Sequence, residues 1–168
     1  DRRSGVSQRL PITLLENVVS NAERRAALLD EAEATPRVSD LYAALPSITG
    51  KIELEYEGEL VGSAVIAHEL ICRAADATFR EHAEGADTSP IVAYFDNGGA
   101  LQVPDDVRAT AVRDAFATVP GLLDLVHDTG LASRKDVGAA VAGCQLVLES
   151  LVARRRITRS EGGAYGQA

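Results

Sequence analysis

"RSGVSQRLPITLLENVVSNAERRA", residues 3–26, decides how the rest of the chain is read. Leu14, Leu15, Val18, Val19, Ala22, Ala26 and Leu29 recur at the three- and four-residue spacing of an amphipathic helix. Pro11 suits a first turn, whose amides lack intrahelical partners, and would break a helix interior. The spacing therefore predicts a helix that starts at about residues 8–12 and runs to 30. Ser7 is placed to cap it, and Thr13-x-x-Glu16 offers a later capping box. Arg9 then falls in the first turn. A cation there opposes the helix dipole at a cost of roughly 0.3–1 kcal/mol, whereas the open amides favour an anion. Such an arginine either lies over the helix surface or awaits an anion.

The 168 residues allow one compact domain or two small ones. Apolar residues make up 46% and aromatics only 4%, so the core must be aliphatic. The richness in Ala, Leu, Glu and Arg favours helix. A net charge of −8 argues against nucleic acid or a membrane surface as a partner, because phosphate binding needs a positive field. No apolar run approaches the roughly 18–20 residues of a membrane span, and no signal-peptide pattern opens the chain. The expected location is the cytoplasm, and Cys72 and Cys144, inside aliphatic helical patterns, read as buried free thiols.

Working outward, Val38, Leu41, Leu45, Ile48, Ile52 and Tyr56 step by three or four, which predicts a helix over 39–57 kinked at Pro46 and Gly50. Ile52, Leu54 and Tyr56 also alternate as a strand would, and that alternative stays open. A third helix runs from Val61 to about Ala83. "EHAEGADTSP" ends it, with a linker over 85–90. Beyond it, "IVAYF" and "ALQV" flank "DNGG", a hairpin pattern near 91–103 in which Gly98 and Gly99 supply positive φ. Helices follow from Pro104 to about Thr118, through "PGLLDLVHDTG", and from Asp136 to Arg155. The Gly-rich tail "RSEGGAYGQA" reads as frayed.

Motifs of chemistry are sparse. "ITGKIE" mimics the end of a phosphate-binding loop, but Leu45 stands where its first Gly belongs and Ile52 replaces its Ser/Thr. His68 and Cys72 lie one helical turn apart, yet two ligands do not close a zinc site. His82 and His127 are at unrelated spacing, and no nucleophilic triad is readable. Glu53, Glu55, Glu57 and Glu59 read as a solvated face or as a docking patch for a basic partner. Arg154, Arg155, Arg156 and Arg159 suit a helix C-terminus, where cations complement the dipole, or contact an anion or a partner.

"SGVSQRLPITLLENVVSNAERRA" followed by "TPRVSDLYAALPSITGKIELEYEGE" resembles the lid of AAA+ ATPases of the magnesium-chelatase I-subunit and MoxR-like group. The resemblance covers residues 3 to about 60 and extends more weakly through "YFDNGGALQVPDD…VPGLLDLV…LESLVARRRITR". It implies a mainly α fold: a lid-type helical bundle over 1–84, the linker at 85–90, and a C-terminal helical extension over 91–168. It implies that Arg9 is the sensor-2 arginine acting on ATP and Mg2+ held by a core outside this chain, with Ser7 beside it in the cofactor-binding segment. Without Walker A or Walker B motifs the chain alone would be inactive, the C-terminal part of a longer protein. The implied partners are that core, a homo-oligomeric ring and a von Willebrand A domain protein. The competing reading is a stand-alone helical interaction module, winged-helix-like and without catalysis. A winged helix needs a hairpin after its recognition helix, whereas the predicted hairpin precedes three helices.

Overall fold

The computed structural model describes residues 4–6, 9–49, 52–54, 62–160 and 162–168. Strand β1 (Ser4–Val6) leads into α1 (Leu10–Leu29), α2 (Val38–Ala43), α3 (Leu45–Thr49) and β2 (Ile52–Leu54). The long α4 (Ser63–Ala83) follows, then α5 (Ser89–Asp96), β3 (Leu101–Gln102), α6 (Ala109–Phe116), α7 (Leu122–Asp128), α8 (Val137–Ala153), β4 (Ile157–Arg159) and β5 (Ala164–Gln167). The fold is thus mainly helical, with small antiparallel sheets. β1 pairs with β2, and the second sheet has the order β3–β5–β4.

α8 is apolar all round and buried along most of its length, as a helix without a polar face must be. α4 packs along it. Asp136 caps α8, accepting from the Ala139 amide at 2.8 Å. Gly143 lets α7 approach, since a Cβ there would stand 2.8 Å from Val126 Cγ1. The larger core gathers Phe79 and Ala83 of α4 with Phe95, Phe116, Leu122, Leu148 and Leu151. A smaller one joins Val38, Ala67 and Ile71, flanked by Leu10, Leu14, Leu41, Tyr42 and Leu45. α4 therefore contributes its first half to one core and its second half to the other.

Several local expectations are corrected. The hairpin near 91–103 does not form: residues 89–96 are helix. "DNGG" ends that helix, with Gly98 N–H bonded to Phe95 O at 2.9 Å, Gly99 N–H to Tyr94 O at 3.0 Å, and φ +83° at Gly98. This pairing is a Schellman cap, which needs the same left-handed glycine as a hairpin turn. Among the described residues of 39–57, the kinked helix is replaced by two short helices and a strand. Ile52 pairs with Val6 and Leu54 with Ser4, a partner about fifty residues away that local periodicity cannot report. The tail is not frayed: β5 is the central strand of its sheet, and Tyr165 is buried. α1 begins at Leu10 with Arg9 at the N-cap, so the cap is not Ser7, and Thr13 and Glu16 lie inside the helix. Ser7, Glu55, Glu57 and Glu59 lie outside the described residues.

Candidate functional site

Glu149 stands in the apolar run "LVLESLV" of α8 and is fully buried. A charge on a helix with no polar face must find partners inside the protein. Four elements supply them. Tyr42 of α2 donates its hydroxyl to Oε2 at 2.6 Å, and Tyr165 of β5 donates to Oε1 at 2.7 Å. Arg159 of β4 brings Nε to 3.1 Å from Oε1, and Cys72 of α4 sets its thiol 3.7 Å from Oε2. The guanidinium of Arg159 stacks 3.9 Å over the Tyr42 ring, and the His68 ring lies 4.6 Å from Tyr42.

The environment tunes these groups. Burial raises the Tyr42 and Tyr165 phenols, and the Glu149 charge pushes them the same way, so both remain donors. Burial also raises the Cys72 thiol. It lowers the half-buried His68, as does the neighbouring Arg159 charge, against the pull of Glu149. For Arg159, burial opposes the charged form, but Tyr165, Glu149 and Tyr42 outweigh it and hold the guanidinium protonated.

Tyr42 is held in place by the start of α2. Asp40 pairs with Arg25 of α1 and accepts from the Arg37 backbone amide at 2.7 Å. Gln145 of α8 accepts from the Val38 amide at 2.8 Å. One turn along α4 from Cys72, Asp76 accepts from Ser150 at 2.8 Å and from Arg154 at 2.6 Å. Burial would raise the Asp76 carboxyl, but these bonds lower it.

Beside the cluster lies a cavity of about 700 Å³, with Ser39, Tyr42, His68, Arg159, Gly163 and Tyr165 among its lining residues. Its size is that of a small-molecule site.

The candidate residues read from the sequence are only partly brought together. Arg9 is exposed at the N-cap of α1. Its neighbour Leu10, with Leu14, packs on the small core that also touches Tyr42. His68 and Cys72 do meet, Sγ to Nδ1 at 3.8 Å, but as part of the Glu149 cluster. Among the described residues no group of three His, Cys, Asp or Glu is set to hold a metal. Cys144 is buried, which pushes its thiol up to about 12. The arginine run divides: Arg154 pairs with Asp76, Arg155 takes a left-handed φ of 55° at the end of α8, and Arg159 joins the buried cluster. The dipole reading therefore does not describe Arg159, which is two residues into a strand. Glu149, Tyr42 and Tyr165 went unread as site residues, although a lone carboxylate in "LVLESLV" was a signal available in the sequence.

Compared with family models, curated proteins and solved structures, the chain finds no match. Among the described residues no helix is long and apolar enough to cross a membrane.

Proposed function

We propose that this chain is the lid and C-terminal region of a AAA+ ATPase of the magnesium-chelatase and MoxR-like group. In this reading Arg9 is the sensor-2 residue. The observation that carries it is the position of Arg9, exposed at the N-terminus of the 20-residue α1, where helix amides and a guanidinium together favour a phosphate. ATP and Mg2+ would be held by a separate core, to which Arg9 lends positive charge as the phosphoryl group transfers. Ser7 would lie in the same nucleotide-facing segment. Leu10 and Leu14, beside Arg9 on α1, pack on the same small core as Tyr42, and Tyr42 and Tyr165 share Glu149, which supports coupling between α1 and the C-terminal sheet. Ring assembly and a von Willebrand A domain partner belong to the same reading. The test is the reading frame preceding Asp1 together with ATP binding by the intact protein. A Gly-x-x-x-x-Gly-Lys-Ser/Thr loop and saturable ATP binding support it, and the absence of both refutes it.

One observation favours a second reading, a winged-helix-like interaction module. The β4–β5 hairpin directly follows α8 and pairs with β3, which precedes α6 to α8. This sheet order and hairpin position support that reading and remove the topological objection raised by the sequence. α8 itself is buried and the chain carries a net charge of −8, so this module suits a protein partner better than a nucleic-acid groove. A gel shift with duplex DNA is expected to show no salt-sensitive binding.

A further inference from the structure

We propose that the cavity beside Arg159 is a binding site for a small amphipathic monocarboxylate, one carboxylate head on an apolar body. Ser39, Gln145 and Arg159 on its wall carry hydrogen-bond donors. Ser39 lines the cavity, and its Oγ is buried with no hydrogen-bond partner. Arg159 lines it with a side chain only 11% exposed. Its Nε, although 3.1 Å from Glu149, is not in hydrogen-bond geometry. Its Nη2 lies beside Gly163, where a Cβ would stand 3.6 Å away. Gln145 has its oxygen engaged by the Val38 amide, which leaves its amide nitrogen as the group for a ligand.

Arg159, Ser39 and Gln145 line the same space; a guanidinium fork beside a hydroxyl and an amide selects oxygen acceptors, and a carboxylate satisfies such a fork in bidentate fashion. Leu45, Val65 and Val103 line the same space, and these apolar residues suit an aliphatic or aromatic body. The exposed carboxylates of Glu69 and Asp105 also line the cavity. With the Arg159 charge already shared with Glu149, they oppose a dianion such as phosphate more strongly than a single negative charge. The ligand would contact α2, α3 and α4 on one side and the β3–β5–β4 sheet on the other.

The test is a titration of the ¹⁵N-labelled chain with sodium hexanoate, followed through the amide resonances of Ser39, Gln145 and Gly163. Hexanamide and inorganic phosphate serve as comparators. Hexanoate is expected to give saturable shifts at these three residues, hexanamide to bind about tenfold more weakly, and phosphate to give no saturable shift. Arg159→Lys keeps a positive charge against Glu149 but loses the planar fork, and is expected to weaken hexanoate binding about tenfold. Ser39→Ala weakens it less, and Val65→Trp, at a position already half exposed, fills the space and abolishes it. If Arg159→Lys does not fold, the two other variants decide. No saturable shift with hexanoate, phosphate binding as tight as hexanoate, or unchanged binding in Val65→Trp overturns the proposal.

Discussion

Replacing Glu149 by glutamine tests whether the buried carboxylate ties the two parts of the chain together. The change is nearly isosteric, so packing is preserved and only hydrogen-bond character and charge are altered. Oε1 accepts from Tyr165 and faces Arg159, and Oε2 accepts from Tyr42. Glutamine turns one of these oxygens into a donor facing a donor. Each hydroxyl bond to a charged acceptor contributes about 1.5–3 kcal/mol. Arg159 also loses its only ion-pair partner among the described residues, and breaking a buried pair from one side costs about 3–5 kcal/mol. These effects share the same atoms and do not add, so the loss is set at about 3–5 kcal/mol. For a chain of this size each kcal/mol moves Tm by about 2–4 °C, so Tm falls by roughly 6–20 °C. Urea unfolding followed by circular dichroism checks this, with the m-value unchanged if the native fold persists. In the double variant Glu149→Gln/Arg159→Met the loss is smaller than the sum of the single losses, because the stranded charge is gone. A loss under about 1 kcal/mol, or simple additivity, refutes the reasoning.

Further predictions concern pH and backbone strain. His68 has a pKa below its ordinary value of 6.5 because of burial and Arg159, so the unfolded chain binds its proton more readily. Stability is therefore whole above pH 6.5 and declines as pH falls below it toward the folded-state value. Urea midpoints measured across that range should show a shallower decline in His68→Asn. Arg155 holds φ at 55°, a conformation that costs an L-residue about 1–2 kcal/mol. Arg155→Gly relieves that strain at some cost in unfolded-chain entropy, and a net gain of about 0.5–1 kcal/mol in urea unfolding is expected.

The long helices were legible in the sequence because their apolar spacing is local. α1, α4 and α8 fall within a few residues of where periodicity places them. The failures share a physical cause. "DNGG" supplies a left-handed glycine, and both a hairpin turn and a Schellman cap use one. Only the packing of Ile91 and Phe95 into the larger core decides between them. Residues 52–54 are a strand through a partner distant in sequence, β1, whereas 164–167 pair with distant β3 and with neighbouring β4, and neither run is long enough to declare itself. The Glu149 cluster draws Tyr42, Cys72, Arg159 and Tyr165 from four elements, so spacing could not assemble it. The carboxylate could still be flagged by its apolar neighbours, as a buried charge in need of donors.

The position of Arg9 carries the proposed function, and one measurement addresses it most directly. ATP binding and turnover are compared between the intact protein and its Arg9→Ala variant. Transition-state charge stabilisation by a single donor is worth about 10²–10³ in rate, so turnover is predicted to fall by about that factor while nucleotide binding is largely retained. Unchanged turnover in Arg9→Ala would contradict the account.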